Sequence, residues 1–123
     1  MQSPNVVLLQ NNPQIARSLA AALSGSFHSI HVAHSLQELR DRMAKHRSRV
    51  AIVDMEMASI NDLAKLAREF PGTSILCNHR LADEKMWADA LKAGVSDVFA
   101  SSDTGAIVNA ARRDETTALS AAA

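Results

Sequence analysis

The feature that most limits what this chain can fold into is a repeat in its hydrophobic pattern, in which short apolar runs alternate with segments of helical spacing. The runs are Val6-Val7-Leu8-Leu9, Ile30-His31-Val32-Ala33, Val50-Ala51-Ile52-Val53 and Ser74-Ile75-Leu76-Cys77, with a weaker fifth from Val95 to Ala100. The first and third are continuous. An alternating strand keeps a polar face for water, whereas these have none to give, which suits strands covered by helices on both faces of a parallel sheet.

Helical segments fill the gaps. Pro13 suits a first helical turn with Asn12 as its N-cap, and Ile15, Leu19, Ala22 and Leu23 form one apolar stripe that Gly25 ends. Ser35 and Glu38 have capping-box spacing ahead of Leu36, Leu39 and Met43. Asn61 and Asp62 precede Leu63, Leu66, Ala67 and Phe70, with Pro71-Gly72 as the stop. Asp83 starts a segment carrying Met86, Trp87, Ala90 and Leu91, closed by Gly94. The last helix begins near Asp103 and carries Ile107, Val108 and Ala111. Five βα units with right-handed crossovers predict one α/β domain, a three-layer sandwich whose five-stranded parallel sheet has helices on both sides. That domain spans residues 1–113, and the tail DETTALSAAA, residues 114–123, has little to bury and is expected to fray.

The bulk chemistry removes several function classes. Thirteen basic residues balance thirteen acidic ones, leaving no net field to attract nucleic acid. Apolar runs fall short of the ~18 residues of a membrane span, and MQSPN has neither the basic nor the apolar region of a signal peptide, so a cytoplasmic location is expected. The single cysteine, Cys77, sits in an apolar run and reads as a small buried hydrophobe. No nucleophile elbow, phosphate-cradling glycine loop or zinc spacing is present, and no enzymatic activity is expected.

Ligands of such sheets sit at the carboxyl ends of the strands. Those ends carry Gln10, Asn11 and Asn12 after the first run, Asp54, Met55 and Glu56 after the third, Asn78 and His79 after the fourth, and Ser101 and Ser102 after the fifth. With VVLLQNNP at the first end, AHSLQEL after the second run, VAIVDMEMASINDL around Asp54 and ALKAGVSDVFA leading into the fifth, the chain resembles the receiver domains of two-component response regulators, the CheY-like family, over about residues 5 to 113. The resemblance implies a flavodoxin-like (βα)5 fold with strand order 2-1-3-4-5. In that family two acids after strand one hold Mg²⁺, an Asp after strand three accepts a phosphoryl group, and a Thr or Ser after strand four and a Lys after strand five contact it. Carried over, the acid pair becomes Gln10 and Asn11, the phospho-acceptor is Asp54, the Thr/Ser position is Asn78 or His79, and the Lys is Ser101.

Phosphoryl transfer depends on cations to meet charge on the phosphoryl oxygens. Two amides in place of two carboxylates remove two negative charges from a site meant for a hard ion. A metal, if held, would fall to Asp54 and Glu56, so no cofactor is expected. Neutral side chains at Gln10 and Asn11 are expected to leave Asp54 held by hydrogen-bond donors in a satisfied, unswitchable pocket. The expected function is therefore that of a degenerate receiver, or pseudo-receiver, working by phosphorylation-independent contact with a protein such as a histidine kinase or an output domain. The alternatives are a conventional receiver phosphorylated on Asp54, and a small-molecule-binding module using Gln10, Asn11, Asp54 and Asn78 or His79.

Other residues carry lesser expectations. His79 beside Asp54 could pair with it as a pH sensor, and His28, His31 and His34 recur at spacing three, a weak metal pattern against ordinary surface histidines. Arg40, Arg42, Lys45, His46, Arg47 and Arg49 form a basic edge, either solvated or docking an acidic partner. Trp87 and Val98 are expected to leave an apolar patch toward the last helix. In the family, helix four, strand five and helix five form the usual dimer face, so a homodimer through that face is a further implication.

Overall fold

The computed structural model describes residues 5–81 and 83–122, with side chains up to Asp114. Five strands alternate with five helices: β1 (Asn5–Leu9), α1 (Pro13–Leu23), β2 (Ser29–Ala33), α2 (Leu36–His46), β3 (Val50–Asp54), α3 (Ile60–Glu69), β4 (Ser74–His79), α4 (Glu84–Ala93), β5 (Asp97–Ala100) and α5 (Thr104–Ala122). All pairings are parallel, in the order β2-β1-β3-β4-β5. The expected three-layer sandwich is the observed one. The side chains of the tail lie outside the described residues, apart from Asp114, whose carboxylate accepts a 2.6 Å hydrogen bond from Ser74.

Two cores flank the sheet. Val6, Leu8, Val50, Ile52 and Leu76 pack with Leu19 and Leu23 of α1 and Ile107, Val108 and Ala111 of α5. Val7, Leu9, Ala51, Val53, Ile75 and Cys77 pack on the opposite face with Leu39 and Met43 of α2, Leu63 and Leu66 of α3 and Ala90 of α4. Odd and even positions of β1, β3 and β4 thus serve different cores, which is why their sequences are apolar without alternation. Cys77 is fully buried and burial pushes its thiol up to about 12, as fits a small hydrophobe.

The local signals place the helices closely. Asn12 Oδ1 accepts the Gln14 amide, the N-cap anticipated from the sequence, and Asp83 Oδ1 accepts the Met86 amide as the N-cap of α4. Two details differ. The reciprocal capping box is not at Ser35 and Glu38, because Glu38 pairs with Arg42 one turn on, at 3.1 Å; Ser35 only accepts the Glu38 amide. It lies at Ser59 and Asp62, so α3 starts at Ile60, before Asn61. The Ser59 hydrogen bonds hold the Asp62 carboxyl below the usual carboxylate range. At the end of α4, Gly94 adopts φ +110°, the left-handed cap its position implies.

Candidate functional site

The strand alternation that sorts the two cores also builds the site. Continuing the parity of Leu8, Ile52 and Leu76 by two residues reaches Gln10, Asp54 and Asn78, and the β4–β5 register pairs Asn78 with Phe99, two before Ser101. These four residues therefore converge above the α1/α5 core. They are four of the five polar residues buried among those described, the fifth being Ser48. Parity also decides between Asn78 and His79. Asn78 is fully buried in the site, while His79 belongs to the other face and its Nδ1 accepts the Leu81 amide at 3.0 Å. The expected His79–Asp54 pair is not formed.

Gln10, Asn78 and Ser101 make one neutral network. Gln10 Nε2 donates to Asn78 Oδ1 at 2.8 Å, Asn78 Nδ2 donates back to Gln10 Oε1 at 3.0 Å, and Asn78 Nδ2 also donates to Ser101 Oγ at 2.8 Å. Gln10 Nε2 additionally reaches Ile52 O at 3.4 Å. Asn78 is the hub, since a carboxamide can donate and accept at once.

Asp54 is 3% exposed and stands beside this network without joining it. Its Oδ2 accepts the Asn11 backbone amide at 3.1 Å and its Oδ1 the Glu56 backbone amide at 2.9 Å. Both donors to Asp54 are thus backbone amides. Gln10 turns its amide toward Asn78, and Asn11 contributes main chain. Glu56 is occupied elsewhere, because its Oε1 accepts from Arg80 Nε at 2.7 Å.

Arg80 was not legible as a site residue. It lies just past β4, and together with Asn11, Asn12, Ile15, Asp54, Glu56 and Ser101 it lines an open hollow over the strand ends. A charged residue directly after a buried strand end was the available signal. Among the described residues, no group of three or more His, Cys, Asp or Glu side chains is arranged to hold a metal ion. The spacing of His28, His31 and His34 accordingly produces no such cluster. His31 stacks instead on His46 of α2, ring centroids 3.8 Å apart.

Trp87 and Val98 line one open hollow together with Asp83, Glu84 and Ala100. Val98 is 8% exposed and belongs to the core shared with α2, α3 and α4, because its parity turns it from α5. Trp87 is 47% exposed, with its indole N–H on Asp97 Oδ1 at 3.1 Å. Among the described residues, no helix is long and apolar enough to cross a membrane.

No family model matches the chain, and no curated protein does. Solved structures do. A response regulator from Thermotoga maritima is 17% identical, with 92% of this chain and 98% of that one covered at a TM-score of 0.83. The signal receiver domain of an HD domain-containing protein from Pseudomonas fluorescens Pf-5 is 19% identical, covering 98% and 92%, at 0.84. A response regulator from Burkholderia pseudomallei with a phosphorylated aspartic acid, a calcium ion and citrate is 21% identical, covering 79% and 59%, at 0.70. Together with the strand order 2-1-3-4-5, these matches show that the chain has the CheY-like fold of response regulator receiver domains.

Proposed function

We propose that the chain is a receiver-like signalling module that does not carry out metal-dependent phosphoryl transfer and acts through contact with a protein partner, a histidine kinase or an output domain. It has no catalytic activity of its own in this reading. The observation that carries it is the closed neutral network of Gln10, Asn78 and Ser101 at the strand ends. These residues stand at three positions where the resemblance calls for an acid, a hydroxyl and a lysine. A hard divalent cation seeks several carboxylate and water oxygens. Here Asp54 already accepts two backbone amides and Glu56 is paired with Arg80, so the donor set does not fit such an ion. Each missing charge-assisted hydrogen bond to a phosphoryl group is worth about 1.5–3 kcal/mol.

The second reading, phosphorylation of Asp54, has one observation in its favour: Arg80 lines the same hollow as Asp54 and could supply a cation that Ser101 lacks. Intact mass after incubation with Mg²⁺ and a small acyl-phosphate donor separates the two. No adduct is expected at high donor concentration. A phosphoryl adduct that disappears in Asp54→Ala would replace this reading with a working switch.

A further inference from the structure

The opposite end of the sheet holds a second cluster that the strand-end site does not use. β2 lies at an edge of the sheet, and register pairs its His31 with Val7, turning the imidazole toward α2. There it meets His46 at the carboxyl end of α2, the two rings 3.8 Å apart at centroids and inclined by 10°. The stacked pair lies in a hollow completed by Asn5, His28, Lys45 and Arg47. The side chains lining it include no carboxylate.

Three features make this hollow electropositive and short of partners. Lys45 and Arg47 are exposed, and neither is within salt-bridge distance of a carboxylate among the described residues. His31 Nε2 is buried and has no hydrogen-bond partner. Two of the carbonyls ending α2, which would repel an anion, are already engaged: Met43 O accepts the Arg47 and Ser48 amides, and Asn5 Nδ2 donates to His46 O at 2.9 Å.

We propose that this corner is a binding site for a phosphate-type oxyanion, held by Lys45, Arg47 and the imidazole of His46 and taken up together with a proton. The charged or titratable groups facing His31 are His46, Arg42 and Lys45 of α2, all basic, with His28 and Arg47 beside them in the hollow. Arg42 has its charge partly met by Glu38. Without an anion, a proton on the stacked pair adds positive charge to a place that already has two unpaired cations. A bound dianion reverses that cost, so anion and proton favour each other. The neutral net charge of the chain hides this, because none of the residues lining the hollow is acidic.

Sulfate is the probe, since it keeps both charges between pH 6 and 8. Side-chain NMR of His31 and His46 is expected to show saturable sulfate binding at pH 6.0, weakened about tenfold or more at pH 8.0 as the linked proton is lost. Lys45→Gln is expected to weaken binding several-fold. His46→Phe, which keeps a stacked ring but removes one imidazole, should weaken the pH dependence; if that variant fails to fold, Arg47→Asn, suited to the left-handed φ of 47°, joins Lys45→Gln as the deciding pair. Comparing inorganic phosphate with phosphoserine at pH 6.0 then tells a free ion from a phosphorylated side chain. Absence of saturation at pH 6.0, equal affinity at both pH values, or unchanged binding in Lys45→Gln overturns the proposal.

Discussion

Asn78 illustrates how much one buried carboxamide can decide. Its side chain makes three hydrogen bonds, two with Gln10 and one with Ser101, inside a wall of main chain and apolar groups. Truncation would strand the Gln10 carboxamide and the Ser101 hydroxyl, and buried polar groups left without partners cost about 1–3 kcal/mol each. Asn78→Ala is therefore expected to lower unfolding stability by about 2–4 kcal/mol, read from the urea midpoint at constant slope. A loss below about 1 kcal/mol would mean that water replaces the amide and that the network is not closed. The identity of this residue as the hub was only half legible. Asn78 and His79 are both plausible strand-end residues, and nothing local in the sequence says where the strand stops. Parity against Asp54 settles it, and parity needs the register between strands.

Among the elements, α4 shows the tightest fit between local signal and tertiary packing. Gly94 caps it at φ +110°, and a Cβ there would lie 2.8 Å from the Cβ of Ala67 in α3. Backbone strain and overlap act together, so Gly94→Ala is expected to cost about 2 kcal/mol or more. Adding Ala67→Gly should recover the part due to overlap but not the part due to φ, giving a favourable coupling in a double-mutant cycle. Additive effects would show that α3 and α4 move apart to accept the methyl group. The glycine was readable as a helix stop; its contact with Ala67 was not, since the two residues are far apart along the chain. Similarly, the stripe of α4 was readable but not its rotation, which leaves Trp87 half exposed and bonded to Asp97.

Across the molecule, stability should be graded from the middle of the sheet outward. β1 and β3 have neighbours on both sides and their apolar residues are fully buried, whereas β2 and β5 are edges. Native-state amide exchange is expected to be slowest from Val6 to Leu9 and from Val50 to Val53, and faster in β2 and β5. Equal protection across all five strands would indicate that the sheet opens only as a whole. A second global property is acid sensitivity. The His31 imidazole is held below its ordinary value of 6.5, first by burial and then by His46, Arg42 and Lys45. The unfolded chain takes up this proton near pH 6.5 and the native chain only at lower pH. Stability is therefore unaffected above 6.5 and declines as pH falls from there toward the native value. His31→Phe should flatten that stretch of the profile, measured as the urea midpoint from pH 7.5 to 5.0 at low salt. An unchanged slope would assign the decline to other groups.

The fold class is legible in the residues alone, because runs such as VVLL and VAIV cannot be stable with a face in water and the segments between them repeat at helical spacing. The same runs mark where the first, third and fifth strands end, and with them Gln10, Asp54 and Ser101, since chemistry at the edge of an apolar run stands out against it. Which polar groups meet depends on the packed chain. Gln10 bonds to Asn78 rather than to Asp54, Glu56 turns to Arg80, and His31 finds His46. Hydrogen bonds and ring stacking act over a few ångströms between residues distant in the chain. The register of parallel strands and the seating of helices on the sheet set those distances, and hydrophobic periodicity constrains neither to that precision.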